Sequence, residues 1–411
     1  MKNTSLGYHT FSFFQNLKAD EYDSVSTDFA MYARKNKDMK GFPVKDKKGK
    51  TIGWEYSYKS GKGIRWKLTS RQAENGFIIQ GVTAVVNPQS LIKQEYISAA
   101  KEADLELTEK LFNEEAAKIS PLLEKLGFCS LSRADPCLNI DLGELNFPCS
   151  PEQMMMLIKQ GNIPRHYKER EIGYDKKQHR KITDKNSFYL ESKSSVINYY
   201  WKYPQQDEKH PNYSFRELSR NVIRMEVQCR YSKLYALSKD GREKSRFYVS
   251  YGDIPLEEVY ERLINDVRNP STPMDIVLKD ENVEGVTRKH FYRVLRKGDY
   301  FTINDARSII ESYHFMPEKE NRLVDALEQV SDCRGITKAK SKLHGPDLDE
   351  FKRSLNDLDK ILVNPVTIPR RWSIRHIPNL LHAYYDSVYE EQLISGQEYL
   401  ARQHIDKILS K

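Results

Sequence analysis

Nowhere in the 411 residues does an apolar run reach the roughly eighteen residues that a membrane-spanning helix needs. The mean hydropathy is −0.71, so no membrane span is expected. The opening residues, Met1-Lys-Asn-Thr-Ser-Leu-Gly-Tyr8, lack the apolar core of a secretory signal, and the expected location is the cytoplasm. Cysteine is sparse. The five cysteines, Cys129, Cys137, Cys149, Cys229 and Cys333, are odd in number and form no C-x-x-C pair. That argues against a disulfide framework and a cysteine zinc site, and predicts buried free thiols. No His-x-His pair occurs, so a two-histidine metal site is not expected. His166, His179 and His210 stand in polar stretches and read as solvated. Internal repeats and low-complexity tracts are also missing.

Basic and aromatic residues are plentiful. There are 66 Lys plus Arg against 58 Asp plus Glu, a net charge of +8, and 25 tyrosines. A basic surface favours a polyanionic partner. Aromatics interleaved with cations suit single-stranded nucleic acid, where bases stack and phosphates pair. The plainer use of most of these tyrosines is on half-buried strands. The length allows two or three domains.

Hydrophobic periodicity orders the chain. A basic turn at 45–50 lies in a hairpin over 40–69; Thr51-Ile-Gly-Trp-Glu-Tyr-Ser-Tyr58 alternates as a strand, and Ser60-Gly-Lys-Gly63 turns the chain again. Residues 76–86 read as a buried strand that Asn87-Pro88 stops. Apolar positions at helical spacing predict a helix over 101–126, capped by Gly127. Ser150 and Pro151 open a helix over 151–160, as N-cap and first residue, and Met154, Met155 and Met156 read as core filling. An acidic strand is expected at 128–142, further strands at 186–191, 194–203 and 220–229, and a loop at 204–215. Helices are expected at 255–267, 288–296, 303–313, 318–329 and 347–362, with a linker at 269–273 and a closing extended, basic segment at 364–372. The expected fold is α+β: a mostly antiparallel sheet with flanking helices over 1–268, then a mainly helical domain over 269–411 for DNA recognition or assembly. Within that domain 303–310 and 318–329 have the outline of a helix-turn-helix.

Two segments carry chemistry. In Leu131-Ser-Arg-Ala-Asp135-Pro-Cys-Leu-Asn139-Ile-Asp141, period-two alternation puts Arg133, Asp135, Cys137, Asn139 and Asp141 on one face. Carboxylates on a buried strand face are costly unless neutralised. A hard divalent cation, Mg²⁺ or Mn²⁺, neutralises them through oxygen ligands. So does an Asp135–Arg133 pair, with Asp141 capping a loop. In Val222-Ile-Arg-Met-Glu226-Val-Gln-Cys229, Arg224, Glu226 and Gln228 share a face. Glu226 either joins Asp135 and Asp141 or pairs with Arg224 toward solvent. In the strand at 194–203, Tyr199 shares a face with Ile197, Trp201 and Tyr203, and Tyr200 with Val196, Asn198 and Lys202. A phenol can attack a phosphodiester and hold its phosphate covalently. Its ordinary pKa of about 10 calls for help from a metal and a lysine, and Lys202 and Lys193 are the neighbours. Most strand tyrosines are structural.

Ser132-Arg-Ala-Asp135 followed by Asn139-Ile-Asp141 resembles the arginine–x–aspartate strand of rolling-circle replication initiators. Phe188-Tyr-Leu-Glu-Ser-Lys-Ser-Ser195 resembles their tyrosine–leucine–glycine–serine turn, Asn198-Tyr-Tyr-Trp-Lys202 their tyrosine–aspartate–lysine strand, and Ile223-Arg-Met-Glu226 their arginine–x–glutamate strand. Order and approximate spacing agree over about residues 128–230, and the chain is similar to plasmid and phage initiators of the gene II and replication-initiation-factor type. Glu191 stands where glycine is usual, Trp201 where aspartate is usual, and Asn139 at the spacing of the second acid. The resemblance implies a metal-dependent tyrosine endonuclease and strand transferase that nicks and rejoins one DNA strand at an origin. Asp135, Asp141 and Glu226 would hold Mg²⁺ or Mn²⁺. Tyr200 would be the nucleophile, with Lys202 beside it and Tyr199 and Tyr203 still open. Arg133, Lys193, Arg224, Lys176, Lys177 and Arg180 would contact DNA. The partners implied are origin DNA, single-stranded or cruciform, a host helicase and single-strand-binding protein, and a second copy in a homodimer. A non-catalytic plasmid or phage DNA-binding protein, a mobilisation relaxase with the same chemistry and an RNA-binding protein are the alternatives.

Overall fold

A computed structural model describes residues 3–46, 48–72, 78–93, 97–170, 173–175, 180–182, 184–209, 216–245, 274–389 and 395–410. Outside them lie the expected helix at 255–267, the linker at 269–273 with the boundary before it, and Lys176, Lys177, His179 and His210. The strands that matter are β1 (Ser5–Asn16), β2 (Met39–Lys45), β3 (Thr51–Tyr58), β4 (Ile64–Gln72), β5 (Ile78–Val86), β6 (Leu131–Asp141) and β7 (Lys168–Glu169). After these come β8 (Gly173–Asp175), β9 (Arg180–Ile182), β10 (Ser187–Glu191), β11 (Ser195–Trp201) and β12 (Val222–Arg230). Ten strands form one antiparallel sheet in the order β2-β3-β4-β5-β1-β6-β12-β11-β10-β7, while β8 and β9 pair separately. With its helices this is the expected α+β fold. Among the described residues no helix is long and apolar enough to cross a membrane.

Contacts divide the chain into two units interleaved along the sequence, rather than cutting it once. A strand-rich unit comprises Leu6–Leu138 and Glu226–Val286; a helix-rich unit comprises Met1–Ser5, Asn139–Met225 and Thr287–Lys411.

In the strand-rich unit the β2–β5 hairpins follow their turn chemistry. Asp46 Oδ1 accepts the backbone N–H groups of Lys48 and Lys50, closing the β2–β3 turn. Gly63 before β4 has φ +80°, and a Cβ there would stand 2.6 Å from the Asn87 carbonyl oxygen, so only glycine fits. Helix α1 (Ala19–Lys35) sends Phe29 against Trp66 of β4, with ring centroids 5.6 Å apart. Helix α2 (Pro88–Lys93) begins where β5 stops. Helix α3 (Leu105–Ile119) adds Phe112, 5.1 Å from Trp66. The helix expected over 101–126 stops at Ile119, because Ser120 precedes Pro121 and is extended (φ −154°, ψ 137°). The shared face also buries Glu115, which accepts hydrogen bonds from Tyr58 (2.5 Å), Tyr32 (3.0 Å) and Lys62 (2.5 Å).

In the helix-rich unit β10 and β11 form a hairpin in the register Phe188↔Tyr199 and Ser187↔Tyr200. Ser192 Oγ accepts the Ser195 N–H at the turn (3.2 Å). Helix α4 (Pro151–Ile158) starts as its capping box requires: Gln153 N–H donates to Ser150 Oγ (3.3 Å) and Ser150 N–H to Gln153 Oε1 (2.8 Å). Met154 and Met155 are buried, as core filling demands, but Met156 is 45% exposed. The strand expected to run to Tyr203 ends at Trp201. Helix α5 (Lys202–Lys209) replaces the start of the expected loop, with Pro204 in its first turn, where the missing N–H costs nothing. The helices Ile303–Ser312, Pro317–Cys333, Gly345–Lys360 and Gly396–Leu409 close over a core that includes Ile309, Leu323, Leu358 and Ile405.

Candidate active site

The strand-rich unit holds one constellation that a simple core does not need. Asp135 on β6 is 3% exposed. Its Oδ2 accepts a short hydrogen bond from Thr10 Oγ1 of β1 and lies 3.0 Å from Arg133 Nη2. Arg133 also donates to Thr10 (3.0 Å), so threonine and arginine fix one carboxylate oxygen together. Among the described residues Oδ1 has no hydrogen-bond partner. Burial pushes the Asp135 carboxyl up to about 6; Arg133 and Thr10 oppose the rise and the charge of Glu226 adds to it. Asp135 and Glu226 are therefore electrostatic neighbours.

His9 completes the group, and the sequence reading passed over it. Its Nε2 lies 3.9 Å from Glu226 Oε1, and its Nδ1 is 3.4 Å from Asn87 Nδ2. Asn87 Oδ1 accepts the Ser90 N–H, so the amide nitrogen faces the imidazole. Nδ1 then accepts, and the ring proton of neutral His9 sits on Nε2, toward Glu226. No motif marks His9; it joins the group only because β1 lies beside β6 in the sheet. Among the described residues no three His, Cys, Asp or Glu side chains are grouped so that they could hold a metal ion. A Mg²⁺ site does not require three, since that ion commonly keeps waters and takes substrate phosphate beside one or two carboxylates.

Asp141 belongs to the helix-rich unit and caps a turn. Oδ1 accepts the N–H groups of Gly143 (2.9 Å) and Glu144 (3.2 Å), and Oδ2 accepts Asn3 Nδ2 (2.8 Å). Asn139 has partners of its own: Nδ2 donates to Ser5 Oγ, and Oδ1 accepts Arg224 Nε at 2.5 Å. Arg224 is fully buried. Expected as a DNA contact, it meets an amide in the interior, because both faces of β12 are covered from Val222 to Met225. The half-exposed positions Glu226 and Gln228 begin only beyond that point.

The tyrosines are covered likewise. Tyr199 is fully buried against Phe291, and burial raises its phenol well above the ordinary value. Tyr200 is 4% exposed, with the buried Lys202 ammonium 5.8 Å from its ring centroid. Tyr203 is half-buried on α5 and donates to Glu217 Oε1 (3.2 Å). Lys193 is exposed at the β10–β11 turn, Arg133 is partly exposed beside Asp135, and Arg180 lies on β9. In the strand-rich unit, helix α6 (Tyr231–Ser245) follows β12 directly and presents Tyr231 and Tyr235, 45% and 40% exposed, with rings stacked at 6.4 Å. They stand one helical turn apart on one face. The buried Cys229 thiol, raised to about 12 by burial, feels both Lys233 of that first turn and Asp135.

Searches against protein-family models, curated proteins and solved structures find no match to this chain.

Proposed function

We propose that this protein is a metal-dependent enzyme that nicks and rejoins one DNA strand at a replication origin, holding the 5′ phosphate on a tyrosine in between. The observation that carries the reading is Asp135: a buried carboxylate with one unmatched oxygen, pushed up by burial and by a second acid, Glu226, which itself lies 3.9 Å from His9. Asp135 and Glu226 would hold Mg²⁺ or Mn²⁺, which when bound supplies positive charge to the scissile phosphate. Asp141 is left out of this set because its turn engages Oδ1 and Asn3 engages Oδ2. Arg133 and Thr10 orient Asp135. His9, with a proton on Nε2, is placed to hold or release a proton. In the cut, the phenol oxygen bonds to phosphorus as the P–O3′ bond breaks; the phenol loses one proton and the 3′ oxygen gains one. Rejoining is the reverse, so the strand is restored without a further energy source.

By motif the nucleophile is Tyr200. Tyr231 and Tyr235 stand beside it as candidates, because they are exposed on the unit that carries the two acids. Purified protein with Mn²⁺ and a supercoiled plasmid bearing the origin should give open circles with protein on a 5′ end, and EDTA should prevent it. Asp135→Asn and Glu226→Gln should abolish the product. Tyr200→Phe compared with a Tyr231→Phe, Tyr235→Phe double variant assigns the nucleophile. Near-complete burial of Tyr199 and Tyr200 favours a second reading, a DNA-binding protein that cuts nothing. Origin binding with an intact plasmid under every divalent metal would establish that reading and sink the first.

A further inference from the structure

The helix-rich unit carries a cleft of about 490 Å³ whose walls include Glu152, Met156, Lys185, Trp201, Tyr203 and Asp207. We infer that it binds an unpaired base of single-stranded DNA, with guanine preferred. The inference rests on the DNA reading above, and names a substrate element for it.

The cleft is built around two rings. Trp201 ends β11 and Tyr203 opens α5, so the strand-to-helix change sets them side by side, centroids 6.2 Å apart and planes 29° apart. Their polar atoms are engaged away from a ligand: Trp201 Nε1 donates to the Arg220 carbonyl (2.7 Å), and the Tyr203 hydroxyl to Glu217. Arg216 and Arg220 lie 5.5 and 5.8 Å from the Tyr203 ring centroid and steady it further. Fixed rings with tied edges offer apolar surface, and Met156 and Pro204 extend it. Such a surface suits a flat aromatic ligand such as a nucleobase, which gains by stacking on it. The volume falls in the range of small-ligand clefts.

The rim selects among flat ligands. Charged groups of both signs line it: Lys185 against Glu152 and Asp207. A bare phosphate would meet the two acids, and a cationic side chain would leave Lys185 unmatched. A neutral ligand with donors on one edge and acceptors on another satisfies both signs. Among the DNA bases guanine combines adjacent N–H donors, N1 and N2, with the O6 and N7 acceptors. A carboxylate takes the first pair and an ammonium or guanidinium the second. Asp207 Oδ1 already accepts Arg216 Nη1 (2.6 Å), so Glu152, exposed in the first turn of α4, is the carboxylate assigned to the donor edge. Thymine, with one N–H between two carbonyls, is the poorest fit.

The test is fluorescence anisotropy of the full chain in EDTA, where no cation supports cutting. The probes are a short thymidine-only strand and the same strand with one central guanine. The guanine strand should bind about tenfold more tightly, one good base contact's worth of discrimination. Glu152→Gln, an exposed change that leaves the fold alone, should erase that preference and keep thymidine binding. Trp201→Ala should weaken both strands, and Trp201→Phe should restore most of the loss. Equal affinity for the two strands, or a preference that survives Glu152→Gln, overturns the inference. Nicking of the origin plasmid with Mn²⁺ is scored separately, so a cleft without base preference on an active nickase, or a guanine-selective cleft on an inactive protein, separates the two failures.

Discussion

Asp135→Asn tests the candidate site through stability as well as activity. In the fold the Asp135 carboxyl has its pKa raised to about 6, against an ordinary 3.8, chiefly by burial. The folded state therefore binds this proton more tightly than the unfolded chain does. The Asp135 contribution to stability is greatest below about pH 4, falls as pH rises toward 6, and is lower by about 3 kcal/mol above that, at about 1.36 kcal/mol per pKa unit. Asparagine keeps the shape and never ionises. In EDTA the variant should match the wild type near pH 4, gain over it between 4 and 6, and melt several degrees higher at pH 8. Adding Mn²⁺ should raise the wild-type melting temperature and leave the variant unmoved, because a ligand stabilises only the state that binds it. The same variant should lose nicking. Differential scanning calorimetry across pH, with and without Mn²⁺, reads all of this. If the variant is no more stable than the wild type at pH 8, or its gain is the same at every pH, Asp135 is not a charge confined in the interior. The argument for a cation at Asp135 then fails with it.

Glu115 has the opposite sign. Burial alone would raise its carboxyl, but hydrogen bonds from Lys62, Tyr58 and Lys118 outweigh burial and bring it down to about 2. It contributes about 3 kcal/mol above pH 4.5 that is lost as pH falls toward 2, so Glu115→Gln should destabilise at neutral pH and flatten the acid limb of a denaturation curve. Gly63→Ala meets both a positive φ and the Asn87 carbonyl, and should lower the unfolding free energy read from urea denaturation by more than about 1 kcal/mol, whereas Gly49→Ala, with open space around it, should lose only the strain of its positive φ. Ser150→Ala removes the cap of α4 and should cost about 1 kcal/mol by chemical denaturation. Arg224→Ala should unfold the protein far more readily than Lys193→Ala, since it leaves the buried Asn139 oxygen without its donor. If the two variants behave alike, Arg224 is not structural.

The segments readable from sequence are those whose signals are local. The Thr51–Tyr58 strand, the Ser150 cap and the helices near 303 and 318 depend on alternation, a hydroxyl at the right place and 3.6-residue spacing, and all three stand in the structure. The helix over 101–126 is too long because apolar spacing continues past Ser120 while Pro121 forbids the conformation. Period-two reasoning separates Tyr199 from Tyr200 onto opposite faces of β11, yet both are buried. A strand packed on both faces gives no sign of which side is open. β1 and α1 gave no marked pattern, and with them His9 and Thr10 went unnoticed.

Composition and short-range pattern by themselves determined an α+β chain with a basic surface, an acid-bearing β6 and a Glu226 strand. Which of the roles open to each acid it takes was decided by the tertiary structure. Asp135 and Asp141 are six residues apart on one strand and look equivalent in sequence, yet one lies beside Thr10, Arg133 and Glu226 with an oxygen unmatched, while the other is consumed by a turn. Charge and solvation depend on whichever groups the fold brings close, and two of those around Asp135, Thr10 and Glu226, come from distant strands that no local pattern encodes.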